Sequence, residues 1–93
     1  MAKWLDELDS VARARIQARI FRFEAGNLGD VEPVGGGVIE AKFNFGAGYR
    51  VYFGLAAGHL VLLLLGGNKK TQKRDIEQAK SYWTEWKENH QHG

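Results

Sequence analysis

The sequence predicts an α+β fold in which an N-terminal helical segment and a C-terminal helix pack on an antiparallel sheet. Three observations predict it. Apolar residues recur at helical spacing over residues 3–25, alternate with a period of two over residues 38–53, and return to helical spacing over residues 70–88. With 93 residues the chain is read as one domain, 1–93, since chains divide into separate cores only at roughly 150 residues or more.

In the first segment, Trp4, Leu5 and Leu8 form a short helical turn. Asp9 or Ser10 supplies the N-cap of a longer helix, because a short oxygen-bearing side chain can satisfy an amide left free in the first turn. Ala12, Ile16, Ile20 and Phe23 follow at spacings of four, four and three and share a face. Arg15, Arg19 and Arg22 lie within about 60° of one another beside that stripe. Val11, Ala14, Ala18, Phe21 and Ala25 form a second, smaller stripe, so the helix is expected to pack twice, for example against the sheet and against a partner. Gly26 stands where a helix ends in the left-handed conformation.

The period then changes. Gly29 and Gly35, Gly36 and Gly37 read as loops and turns. Over residues 38–45, Ile39, Ala41, Phe43 and Phe45 point one way and Glu40, Lys42 and Asn44 the other. Gly46-Ala47-Gly48 is a tight turn into a returning strand, with Tyr49, Val51 and Phe53 on one face and Arg50 and Tyr52 on the opposite one. A turn at residues 56–58 leads into the continuous apolar run 60–65, read as a central buried strand. The residues alone thus give a three-strand meander. In the last helix, Ile76, Ala79, Trp83 and Trp86 form the inward face, and the basic first turn runs against the helix dipole.

Composition narrows the function. Hydrophobic residues make up 44% and charged residues 26%, which excludes a wholly disordered chain. The longest apolar run is far short of the ~20 residues that span a bilayer, and no secretory leader opens the chain, so a cytoplasmic protein without a membrane partner is expected. The absence of cysteine removes disulfides and zinc–thiolate sites, and His59, His90 and His92 come without carboxylates at ligand spacing. Neither metal nor other cofactor is expected. The net charge of +2 is small, but the basic residues are bunched: Arg13, Arg15, Arg19 and Arg22, then Lys69, Lys70, Lys73 and Arg74. Such local fields attract phosphate.

Lys42 and Arg50 are the most informative pair. On adjacent strands and outward parities, two cations repel unless an anion visits; the alternative is a solvated sheet face with Glu40 as salt-bridge partner. Gly66-Gly67-Asn68-Lys69-Lys70 follows a strand and opens a helix, where amides and lysines can hold phosphate, although it is not a Walker loop. Arg15, Arg19 and Arg22 either track a nucleic-acid backbone or form a solvated face. Tyr52, sharing parity with Arg50, is the base-stacking candidate, whereas Trp83 and Trp86 read as core. Clustered cations without a nucleophile triad suit stabilisation of a phosphorane-like transition state.

The ordered motifs Trp4-Leu5, Ala14-Arg15-Ile16, Gly26-Asn27-x-Gly29-Asp30, Gly37-Val38-x-Glu40, Gly48-Tyr49-Arg50-Val51-Tyr52, Gly66-Gly67-x-Lys69 and Gln72-x-x-Asp75-Ile76-x-x-Ala79 resemble RelE/HigB-like type II toxins. The closer match is the branch described as addiction-module killer proteins. The resemblance spans nearly the whole chain. It implies a RelE-like fold with a curved antiparallel sheet of three to four strands. It also implies a metal-independent endoribonuclease (an mRNA interferase) that causes growth arrest by cutting mRNA on the ribosome, and a cognate antitoxin as partner. Under it Arg50 holds the phosphate and its developing charge. Lys42 either stabilises the transition state or, with its pKa lowered by Arg50, acts as base. Lys69 and Lys70 neutralise phosphate. Read from the residues themselves, Arg15, Arg19, Arg22, Tyr52, Lys73 and Arg74 are the candidate RNA contacts.

Three departures accompany the resemblance. The family's usual first strand precedes the Trp-Leu helix, which here nearly opens the chain; the expectation is a sheet without that strand, with an exposed edge through which a homodimer could form. Ala41-Lys42 replaces the usual Leu-Arg, and Ile76 falls near the place of a C-terminal catalytic tyrosine found in some relatives. These departures keep two other readings open. One is a catalytically weak or inactive homologue that binds RNA or the ribosome, and the other is an antitoxin-binding module.

Overall fold

The computed structural model describes residues 2–27, 29–56 and 60–89. Helix α1 (Ala2–Asp6) and helix α2 (Ser10–Glu24) are followed by strands β1 (Val31–Gly35), β2 (Val38–Lys42), β3 (Arg50–Ala56) and β4 (Leu60–Gly67). A 3₁₀ turn (Lys69–Thr71) then leads into helix α3 (Gln72–Asn89). Of the turn expected at residues 56–58, residues 57 and 58 lie outside the described residues, as do the histidines at 59, 90 and 92.

Helix α2 begins and ends on local chemistry. Asp9 is extended, and its carboxylate accepts from the Ala12 amide at 2.9 Å. At the other end, Gly26 with φ of +89° lets its own amide bond the Phe23 carbonyl, and lets the Asn27 amide bond that of Arg22. These two bonds are the Schellman arrangement, which satisfies carbonyls that have no partner within the helix.

The sheet is antiparallel throughout, in the order β1-β2-β3-β4. Alternation along β2 and β3 gives it two apolar faces. Ala41, Phe43, Val51 and Phe53 meet Ile16 and Phe23 of α2, with the Phe23 and Phe53 rings stacked 4.9 Å apart. Val38, Tyr52 and Ala56 meet Ala79 and Trp83 of α3 on the second face. Close approach there depends on Gly54: a Cβ at that position would lie 2.6 Å from the Trp83 ring.

Two expectations about strands need correction. The sheet has four strands, within the three to four that the resemblance implies, and β1 is the one that the residues alone did not show. Pro33 cannot donate to a ladder and Gly35 packs nothing, so no strand pattern appears; an edge strand tolerates both. Gly36 and Gly37, both at positive φ, close the tight turn from β1 to β2. Strand β4 is apolar at successive positions but sits at the opposite edge, not in the centre. Over residues 63–65 its apolar side chains serve both faces of the sheet. A register shift beside Tyr52 and Phe53 leaves Leu64 as an extra residue; Leu63 joins the α2 core, and Leu64 and Leu65 join the α3 core. Among the described residues no helix is long and apolar enough to cross a membrane.

Candidate phosphate-binding site

The register of β2 on β3 builds the site. Lys42 stands opposite Arg50, and one pair deeper Glu40 stands opposite Tyr52, all four on the face that α3 covers. Directly opposed residues have Cβ atoms about 5 Å apart, so the two cations are neighbours by construction.

Glu40 is what makes that pair tolerable. It is only 1% exposed, and its Oε2 accepts from the Tyr52 hydroxyl at 3.0 Å and from the Gln72 amide of α3 at 2.8 Å. Arg50 Nε lies 3.7 Å from the same oxygen, and Lys42 Nζ lies 4.0 Å from the other. A buried carboxylate is sustainable only with charge and hydrogen-bond partners, and here two strands and a helix supply them. Burial, reinforced by the Glu40 charge, pushes the Tyr52 phenol far above its ordinary pKa, so it remains a donor. Tyr52 is fully buried and cannot offer a ring to a base. The expectation that Tyr52 stacks on RNA fails because the sheet face it shares with Arg50 is covered by α3.

Arg50 and Lys42 differ in how far they are committed. The Arg50 Nη1 donates to the Gly48 carbonyl at 2.6 Å, while its Nε is buried without a hydrogen-bond partner. Lys42 is more open, and its Nζ donates to Glu32 of β1 at 2.9 Å. That bond, with the attraction of the Glu32 charge, holds the Lys42 pKa above its ordinary value, and the repulsion from Arg50 is the smaller influence. The lowering by Arg50 on which a base role for Lys42 depends is therefore outweighed.

The turn after β4 supplies the third cation. Gly67 pairs with Arg50, so the chain leaves the sheet beside the arginine. A Cβ on Gly48 would lie 3.3 Å from both Arg50 Nη1 and the Lys69 Cβ, which places those two residues on either side of one glycine. Lys69 and Lys70 line an open hollow with Ala47 and Asn68. Lys70 continues into a second hollow with Lys73, Arg74, Thr71 and Glu77. The amides at this helix start are not available to a ligand. Asn68 Oδ1 accepts from Lys70 N at 2.9 Å and Thr71 N at 3.2 Å, so the chain caps itself. Any anion here is held by side chains rather than by the helix terminus.

The arginines of α2 lie on the other face. Arg19 donates to the carbonyls of Lys42 and Asp30, and its guanidinium lies 4.6 Å from the centre of the Phe43 ring. Burial lowers its pKa, yet the group remains cationic and ties α2 to the end of the sheet. Arg15 lies 5.0 Å over Phe45. The structure thus sets Lys42 opposite Arg50, puts Lys69 on the other side of Gly48 from Arg50, continues the basic surface from Lys69 through Lys70, Lys73 and Arg74, and leaves Arg15, Arg19 and Arg22 apart. Sequence reasoning missed Gln72 and Asp75. Asp75 is 5% exposed and accepts from the Thr71 hydroxyl beneath Gly67. Both stand in the sequence only as members of the motif Gln72-x-x-Asp75, with no role in a site attached to them.

The chain has counterparts among known proteins. Residues 3–83 match the family described as phage derived protein Gp49-like (DUF891). The chain belongs to this Gp49-like family, a toxin-like family of addiction modules. It is also 49% identical over 78 residues to an uncharacterized protein of Haemophilus influenzae, a match covering 83% of this chain and 79% of that one. No solved structure matches it significantly.

Proposed function

We propose that the chain is the toxin of a toxin–antitoxin module and an endoribonuclease that cuts mRNA on the ribosome. The observation that carries this reading is the opposed Lys42–Arg50 pair, with Lys69 across Gly48 and Glu40 beneath. Family membership supplies the toxin–antitoxin setting.

The chemistry follows from the charges. The 2′-hydroxyl oxygen of one nucleotide forms a bond to the adjacent phosphorus, and the bond from phosphorus to the 5′-oxygen of the next nucleotide breaks. The hydroxyl proton passes to water, and the departing oxygen takes a proton from water. Negative charge builds on the non-bridging oxygens between these events. Arg50, fixed by Gly48 and Glu40, can meet that charge with its outward edge, and Lys42 and Lys69 add positive potential. Lys70, Lys73 and Arg74 carry the strand's flanking phosphates along the start of α3.

A second reading, RNA binding without turnover, is supported by the commitments around Arg50. Lys42 is held protonated by Glu32, and Glu40 is occupied by Tyr52 and Gln72. Neither is poised to take the 2′-hydroxyl proton. Inducible expression in a bacterium, with growth scored and mRNA 5′ ends mapped, separates the two readings. Growth arrest with new ends at a fixed place within codons is the expected result. Normal growth with abundant folded protein would reject the nuclease and leave the binding module.

A further inference from the structure

Helix α2 carries a second apolar stripe that the fold does not use. Val11 is 62% exposed and Phe21 72%, and Ala14, Ala18 and Ala25 between and beyond them are also exposed. The buried residues of the same helix, Ala12, Ile16 and Phe23, face the opposite way, into the sheet. The stripe runs about 21 Å from Val11 to Ala25 at 1.5 Å per residue. Exposed phenylalanine and valine in one line on a basic helix are unusual for a surface that only meets water.

The border of the stripe says what kind of occupant fits. Arg15 and Arg22, seven residues and two turns apart, flank it along one edge, and both are exposed. Ser10 and Gln17 flank the other edge, and no acid occurs between Ser10 and Phe23. A second copy is a poor match. A twofold axis that pairs two α2 helices antiparallel sets the Arg15–Arg22 edge of one copy along the same edge of the other, opposing like charges. A nucleic-acid strand would be drawn by the arginines but would leave Val11, Ala14 and Ala18 against a charged backbone.

We propose that this face docks an amphipathic helix of a partner protein. Its apolar side covers Val11, Ala14, Ala18 and Phe21, and acidic residues spaced seven apart along one edge meet Arg15 and Arg22. This inference does not rest on the nuclease reading, because the stripe lies on the sheet face opposite Arg50.

Two synthetic helical peptides with the same leucine face test it. One carries glutamates seven apart along one edge, and the other carries lysines at those positions. Binding to the full chain is followed by fluorescence anisotropy. The glutamate peptide is expected to bind at least about tenfold more tightly than the lysine peptide, with affinity falling as salt rises. Phe21→Ser should weaken it about tenfold or more. Arg22→Glu should weaken the glutamate peptide and strengthen the lysine one. Both substitutions are at exposed positions, and a melting curve confirms that each variant folds. Arg50→Ala should bind the peptide as the wild type does, which separates this surface from the phosphate site. Equal binding of the two peptides, or binding of neither, overturns the proposal. So does a concentration-dependent dimer that Phe21→Ser abolishes, or an oligoribonucleotide whose binding requires Phe21.

Discussion

Arg50→Ala is expected to abolish growth arrest, with a loss of about 10²–10³-fold in cleavage, the scale seen when one preorganised donor to a developing oxyanion is removed. The fold survives, but not unchanged. The Arg50 side chain is only 12% exposed, and its Nε is the closer of the two cations flanking the Glu40 carboxylate. Removing it should cost about 1–3 kcal/mol, because Glu40 keeps Tyr52 and Gln72 but loses a charge partner. Arg50→Lys separates the two roles. It returns a positive charge beside Glu40 but not the planar fork that grips a phosphate, so stability should recover while cleavage stays low. A folded Arg50→Ala protein that still arrests growth would remove Arg50 from the chemistry.

The largest effect on stability is expected from Glu40→Ala. That change takes the acceptor from the buried Tyr52 hydroxyl and from the Gln72 amide, and takes from the Arg50 guanidinium the carboxylate that faces it at 3.7 Å. Breaking a buried pair from one side costs about 3–5 kcal/mol. Domains of this size carry only about 5–15 kcal/mol in total, so the variant should sit near its unfolding threshold at moderate temperature. Urea unfolding followed by tryptophan fluorescence measures it directly, since Trp83 packs on the same face. Glu40→Gln keeps an acceptor without the charge and should fall between wild type and Ala. A midpoint for Glu40→Ala equivalent to a loss under about 1 kcal/mol would show that the carboxylate does not organise the site.

The balance between what the sequence disclosed and what it hid is itself physical. Parity along β2 and β3 was legible because Ala41, Phe43, Val51 and Phe53 alternate with polar residues, and those four do form the α2 core. Asp9 and Gly26 marked the ends of α2 because capping is local chemistry. Alternation does not reveal whether the second face of a sheet is covered. Tyr52 and Glu40 therefore read as outward-facing, although α3 buries both. A glutamate opposite a tyrosine inside the protein looks in sequence like a solvated strand face; only Gln72, thirty-two positions away, shows otherwise. Strand β1 was hidden by Pro33 and Gly35, residues that an edge tolerates.

The cation cluster was half legible. Lys42 and Arg50 could be paired across the turn formed by Gly46, Ala47 and Gly48, because a tight turn fixes the register. That Lys69 joins them depends on β4 pairing Gly67 with Arg50, a contact no local signal encodes. The self-capping of the 3₁₀ turn by Asn68 was readable in principle, since asparagine before a helix is a capping residue, and it changes the site from an amide cradle to a set of side chains.

The central claim is that these cations serve attack of an RNA 2′-hydroxyl on its own phosphate. The most direct measurement supplies purified protein with ribosomes programmed by an mRNA, and then by the same mRNA carrying a single 2′-deoxy nucleotide at the mapped cleavage position. Cleavage of the first that leaves a 5′-hydroxyl end, and none at the deoxy position in the second, is the predicted result. Equal cleavage of both messages, or a folded protein that cuts neither, would contradict it.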